Sequence, residues 1–347
     1  MKTYYFTLLI LLFQMAADAQ SNKAIFLHHS TGGAVYSEGN VAQWVTSHNA
    51  QNSTDYSITE FAYPNDPWGW ENYPYDFWKL WVNGSCNNTL DNIQCLDRLC
   101  QNYELIIFKH CFPGAGIGED SGSGDVTSSN KTIPNYQLQY RALLGLFDQY
   151  PNNKFMVWTL APLHRLATST EQAQRAAQFV HWVKNTWLTE DGKNHPNVSI
   201  FDFFGLAAEQ SSSPASGVQY CLKYDYEGDH NGSDSHPNTT ANVTIGPLFA
   251  QQVVNTLADN ASTISKTNTA SGLQLHYNAL TRSIIYTIAG QTGTGPFLIE
   301  VFSISGQRIK VIESSENTGS IALEQNCGVF IVRVQTGKTN FSQKIAL

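Results

Sequence analysis

Hydrophobic and polar positions follow two regimes along this chain. Up to about residue 259, short apolar runs bounded by polar residues recur at Lys23 to His28, Tyr56 to Phe61, Glu104 to Lys109, Lys154 to Thr159 and Val198 to Phe203. Runs of that length and character predict parallel strands buried on both faces. Helical periodicity lies between and after them. Asn135 to Tyr150 sets Tyr136, Tyr140, Leu143, Leu144 and Phe147 on one face, Thr170 to Leu188 does the same with Ala173, Ala176, Ala177, Val180 and Val183, and Thr244 to Leu257 closes the region. Alternating strands and helices predict an α/β domain, a parallel five-stranded sheet flanked by helices.

The pattern changes after residues 260–272, a Ser/Thr/Asn-rich stretch (NASTISKTNTASG) that predicts a linker. From 273 to 347 the helical period is gone. Short strands are predicted at Leu273 to Tyr277, Ser283 to Ala289, Phe297 to Ser303, Arg308 to Glu313, Ser320 to Leu323, Val329 to Gln335 and Phe341 to Ala346. Ser305-Gly306-Gln307 and Thr336-Gly337-Lys338 read as hairpin turns, and the whole as a small all-β sandwich.

The N-terminus changes the expected compartment. Lys2, the apolar run Tyr4 to Met15 and Ala17-Asp18-Ala19 form a signal peptide over residues 1–19, so the α/β domain is expected to span 20–259. No run is long enough for a membrane span. Charged residues are sparse at 14%, and the formal net charge is −8, which argues against nucleic acid as a partner. The six cysteines permit disulfides in an exported chain; Cys86, Cys95 and Cys100 are close enough for a local bridge.

Candidate chemistry follows from where ligands bind in such sheets, at the carboxyl ends of the strands. The first strand is followed by His28-His29-Ser30-Thr31-Gly32-Gly33, the third by Lys109-His110-Cys111-Phe112-Pro113-Gly114, and the fourth by Ala161 to His164. Asp202, Asp229-His230 and Ser233 to Asn238 come after the fifth. A serine on a glycine-bearing turn suits a nucleophile, a histidine suits its base, and an aspartate suits the orienting acid. Ser30, His236 and an aspartate satisfy that set; equally, Ser30 could cap the following helix and Asp234 open a turn. Cys111, next to Lys109 and His110, is a rival nucleophile. A zinc site drawn from His28, His29, His110, His230 and His236 is disfavoured because adjacent strand residues point to opposite faces. The stretch from Tyr63 to Trp81 is rich in Trp and Tyr, and fits either sugar stacking or a packed cover over the sheet.

These blocks resemble the SGNH/GDSL hydrolase superfamily. IFLHHSTGG, NYPYDFW, IIFKHCFP, NVSIFDFF and DSHPN together look like a secreted bacterial branch of it, over roughly Lys23 to Leu257. The resemblance implies a three-layer α/β/α fold and ester hydrolysis through a Ser-His-Asp acyl-enzyme, without cofactor or metal. Ser30 matches the nucleophile, His236 the base and Asp234 its partner, with Asp229 as the alternative acid. Gly32 or Gly33 matches the oxyanion-hole glycine. The chain departs from the family where His-His-Ser replaces Gly-Asp-Ser, where Asp234 stands two rather than three residues before His236, and where Lys109-His110-Cys111 replaces the block carrying the oxyanion asparagine. Lys109, His110 or the Cys111 N–H are the substitutes at hand. An ester substrate, preferably an acylated carbohydrate, is expected; the altered blocks also fit a non-catalytic surface protein that binds glycan or another ligand. The C-terminal runs IEVFSISGQRIKVI, CGVFIVRVQTGK and QKIAL resemble the type A sorting domain of the type IX secretion system. That implies the type IX machinery as a partner and a secreted or cell-surface location.

Overall fold

The computed structural model describes residues 22–69, 71–120, 122–214, 216–263, 273–278, 283–288, 297–303, 308–323, 329–336 and 339–346. The expected signal peptide, Trp70, Cys327, Ser305-Gly306-Gln307, Gly337, Lys338 and most of the expected linker lie outside the described residues. The chain divides after Ala261 into two compact units.

In the first unit, β1 (Lys23–His28), β2 (Ser57–Ala62), β3 (Leu105–Phe108), β4 (Lys154–Trp158) and β5 (Val198–Phe201) form one sheet of order β2-β1-β3-β4-β5. All its pairings are parallel. Five parallel strands were expected, and each falls within a residue or two of its apolar run. The fifth ends early because Asp202 caps a helix: its side chain accepts the Gly205 N–H at the start of α7 (Phe203–Ala207).

Strand side chains alternate between two cores. Ile25, Leu27, Ile106, Phe108, Phe155 and Val157 face one, and Ala24, Phe26, Leu105, Ile107, Met156 and Trp158 face the other. The first core is covered by α3 (Pro74–Phe77) with its π-helical continuation Trp78–Val82, by α4 (Leu96–Asn102), α5 (Ile133–Phe147) and α6 (Thr170–Trp182). The second is covered by α1 (Thr31–Glu38), α2 (Val41–Asn52) and α8 (Thr239–Thr263). The last helix is longer than its apolar period, running from the Asn238 side chain, which accepts the Ala241 N–H, to Thr263, inside the expected linker. The Tyr63 to Trp81 stretch is mostly core: Tyr63, Tyr73, Phe77, Trp78 and Trp81 are buried, and Trp68 and Tyr75 are half-buried against them. Packing, rather than a stacking platform, accounts for most of its aromatic content. The expected local disulfide forms between Cys86 and Cys95, while Cys100, Cys111 and Cys221 are free thiols.

The second unit contains two antiparallel sheets. One has order β10-β7-β6, from β6 (Leu273–Asn278), β7 (Ser283–Ile288) and β10 (Thr318–Ala322). The other has order β12-β11-β8-β9, from β8 (Phe297–Ser303), β9 (Arg308–Ser314), β11 (Val329–Thr336) and β12 (Thr339–Ala346). Alternate residues of both, including Ile284, Tyr286, Ile299, Val301, Val332 and Val334, share one core.

Two features generate tests of this fold. The end of α1 meets α8 backbone to backbone: a Cβ at Gly246 would lie 2.6 Å from Gly39 Cα. Gly246→Ala is expected to lower the unfolding free energy by about 1–3 kcal/mol in denaturant titration. At the opposite edge of the sheet from the strand carboxyl ends, His195 sits between Asp148 (2.7 Å) and Asp191 (3.2 Å). Burial works against its charged form, but hydrogen bonds and charge from the two carboxylates outweigh burial and raise its pKa. A raised folded value stabilises the fold fully below the unfolded value of about 6.5, and that contribution disappears as pH rises through the folded value. His195→Gln is therefore expected to flatten the fall in melting temperature on going from acidic to alkaline buffer.

Candidate active site

The order of the sheet puts a switch point between β1 and β3, whose connections leave toward opposite faces; in open α/β sheets ligands bind outside the strand carboxyl ends at such a point. Ser30 follows β1 and Lys109-His110-Cys111 follow β3. The register Leu27↔Phe108 carries both segments out of the sheet side by side.

Ser30 occupies the tight turn into α1 with φ 31° and ψ −95°. A positive φ at a non-glycine residue is strained, by about 1–3 kcal/mol. The Ser30 side chain makes no capping hydrogen bond, which removes the helix-cap role for its hydroxyl. It is exposed, and its polar neighbour is Cys111 Sγ at 3.8 Å. The first-turn amides of α1 have no acceptor within the helix. The Gly32 N–H instead donates to the His29 carbonyl (2.9 Å), so Gly32 is not the oxyanion donor. Its function is steric: a Cβ there would lie 2.5 Å from His28 Cβ and 2.8 Å from Lys109 Cδ. Of the two glycines, Gly33 alone stays a candidate for that role.

The three residues after β3 separate by face. Lys109 is fully buried beneath the Ser30 turn, with Nζ donating to the His29 carbonyl (3.2 Å) and to Cys111 Sγ (3.3 Å). His110 turns the other way, between Phe77 and Tyr140, with Nε2 2.7 Å from the Tyr140 hydroxyl. Burial, with Lys109 next to it, pushes its pKa down to about 3. A neutral ring committed to the first core is no oxyanion donor, and the Cys111 N–H is occupied by the Asn72 carbonyl (2.9 Å). Of the three substitutes, Lys109 alone lies beneath the serine turn.

The histidine partner is built from a short turn. Asp234 Oδ1 accepts both the His236 backbone N–H (3.1 Å) and the ring Nδ1–H (2.6 Å). This Asx turn is what a two-residue spacing allows. Burial acts to raise the Asp234 pKa, but the His236 backbone and ring outweigh it and hold it below the ordinary value. Asp229 closes its own turn on the Asn231 N–H and does not take part. The His236 ring packs edge-on against Phe112 at 4.9 Å, the residue next to Cys111, whose sulfur neighbours Ser30. Among the described residues no Ser30–His236 hydrogen bond is formed. The remaining histidines diverge. His28 reaches Glu60 (2.8 Å), His29 the Pro64 carbonyl and His230 Glu227 (2.9 Å). Burial, then Lys109 and His29, lower His28 to about 3.

A charged cluster drawn from segments distant in sequence holds the histidine turn. Glu227 is fully buried between His164 Nε2 (3.1 Å), Arg165 Nε (3.1 Å) and His230 Nδ1 (2.9 Å). The Leu166 N–H donates to His164 Nδ1 (3.1 Å), so the His164 proton is on Nε2, facing the carboxylate. His164 also donates its backbone N–H to Ser235 Oγ (2.9 Å), and Glu227 bridges to Pro237. Both residues flanking His236 are thereby tied to the cluster. His164 was visible as a residue after β4; Glu227 and Arg165 carry no sequence signal beyond their type.

No known family profile and no curated protein matches the chain. Among solved structures, a gut microbial diltiazem-metabolizing enzyme, BT4096, aligns with TM-score 0.36 and 11% identity over 87% of this chain and 72% of that one. A calcium-binding mutant of Bacteroides uniformis beta-glucuronidase 2 aligns with TM-score 0.24 and 8% identity over 90% of this chain and 30% of that one. Likenesses this slight carry no argument about what the chain does.

The cluster's contribution is measurable. Glu227→Ala leaves Arg165 and two histidines around an empty buried position and is expected to cost roughly 3–5 kcal/mol of stability in denaturant unfolding.

Proposed function

We propose that the chain is a secreted serine esterase acting through an acyl-enzyme. The observation that carries this reading is the Ser30 hydroxyl: strained in backbone, free of any capping bond, and exposed at the switch point of the sheet. Ser30 Oγ attacks the ester carbonyl while His236 Nε2 takes its proton, and the same nitrogen returns that proton to the departing alcohol. Asp234, bonded to Nδ1, fixes the ring with Nε2 toward the substrate and stabilises the imidazolium. The oxyanion is held by the first-turn N–H groups at Ser30 and Gly33, with the positive end of α1 and the Lys109 ammonium beneath them. Water then attacks the acyl-Ser30 ester with His236 as base. No step requires a cofactor.

An acylated carbohydrate is the proposed substrate. The aromatic loop abuts the site through the Asn72 carbonyl on the Cys111 N–H, and the half-buried Trp68 and Tyr75 rings lie on that loop and the helix after it. Export through the type IX machinery, guided by the C-terminal unit, completes the proposal and places the enzyme outside the cell.

The second reading is a non-catalytic protein that binds glycan at this switch point. The observation favouring it is that Ser30 contacts Cys111 rather than His236. Acetate release from acetylated sugars separates the two. The esterase reading expects turnover by the mature protein, its loss in Ser30→Ala, and a fall on the order of 10²–10⁴ in His236→Ala. Sugar binding without turnover, or unchanged turnover in Ser30→Ala, contradicts it.

A further inference from the structure

Lys109 is among the largest fully buried side chains of the first unit, and no carboxylate pairs with it among the described residues. Its stem lies in the space left by the absent Gly32 side chain, and its nitrogen has two partners, the His29 carbonyl and Cys111 Sγ. The sulfur in turn is a free, buried thiol with Lys109 Nζ at 3.3 Å and Ser30 Oγ at 3.8 Å. Ser30 is exposed, so the sulfur lies one hydroxyl group in from solvent. A buried amine held at contact distance from a thiol, without an acid to neutralise either, is an arrangement that stability alone does not call for.

We propose that Lys109 and Cys111 form a covalent modification site, in which oxidation of the thiol by hydrogen peroxide is captured by the lysine amine as a sulfur–nitrogen bond. In the first step Cys111 Sγ attacks one peroxide oxygen. The O–O bond breaks, the sulfur loses two electrons, the peroxide is reduced to water, and a sulfenic acid remains. In the second step Lys109 Nζ, its ammonium proton first passed to solvent, attacks that sulfur with its lone pair; the S–N bond forms, the S–O bond breaks, and the departing hydroxide takes an amine proton and leaves as a second water. The pair has then lost two hydrogens. Sulfenic acids otherwise condense with thiols or backbone nitrogen. Here the nitrogen in reach is Lys109, whose Nζ is one of the two polar contacts of Cys111 Sγ, the Ser30 hydroxyl being the other. Closing the bridge removes the lysine charge from beneath the Ser30 turn. The inference is independent of the esterase reading, since it needs no substrate.

Peptide mapping of the folded full chain after hydrogen peroxide treatment tests it. The expected product is a peptide two hydrogens lighter, resistant to trypsin after Lys109, with fragment ions placing the loss between Lys109 and Cys111, and restored by a thiol reductant. In Lys109→Arg, which keeps the charge without an attacking amine, Cys111 is expected to stop at a sulfenic acid that dimedone traps. A dimedone adduct on Cys111 in the wild-type protein, an unreacted Cys111, or the same loss of two hydrogens in Lys109→Arg would overturn the proposal. Should Lys109→Arg not fold, the fragment-ion position and the trypsin resistance in the wild-type protein decide.

Discussion

The geometry of the candidate site depends on one close approach, that of the first turn of α1 to the end of β1 and to the Lys109 stem. Adjacent parallel strands leave the sheet close together, and a helix that begins directly after β1 has to pass over whatever β3 delivers beside it. Here β3 delivers a buried lysine. The two fit because position 32 has no side chain, since a Cβ would press on His28 and Lys109 at once. The chain then reverses within one residue, and that residue is Ser30, at positive φ. The same constraint thus raises the serine hydroxyl out of the sheet and seals the ammonium beneath it.

The histidine half of the site obeys a different constraint. The turn from Asp234 to Pro237 belongs to no strand or helix, and a turn with no packed face needs another source of rigidity. Glu227 supplies it. A fully buried carboxylate is tolerable only with partners, and those partners, His164 and Arg165, lie on the segment that leaves the carboxyl end of β4. Through Ser235 and Pro237 the position of His236 is referred back to the sheet edge that sets Ser30. From opposite ends of the domain, serine and histidine contact consecutive residues, Ser30 at Cys111 and His236 at Phe112.

Much of this was legible in the chain because its signals are local. Five buried strands read as apolar runs since both of their faces are covered. The serine turn, the Asp-x-His-Pro motif and the short cysteine spacing around Cys86–Cys95 could be located directly. What stayed hidden depends on partners distant in sequence. Phe203 looked like strand until Asp202 turned out to cap a helix. The Tyr and Trp stretch fits either a sugar platform or a packed cover over the sheet, because composition cannot say which face is covered; most of those rings pack in the core. His110 and the Cys111 N–H looked available as oxyanion donors until the Tyr140 hydroxyl and the Asn72 carbonyl were seen to engage them. Glu227 was invisible because a buried acid and a surface acid are written with the same letter.

The central claim is that Ser30 is an activated nucleophile, and identification of the residue modified by a fluorophosphonate probe tests it most directly. Digestion and mass mapping of the labelled mature protein should place the phosphonate on Ser30, with labelling abolished in Ser30→Ala and retained in Cys111→Ala. A phosphonate on another residue, or a folded protein that takes up none, would contradict the account.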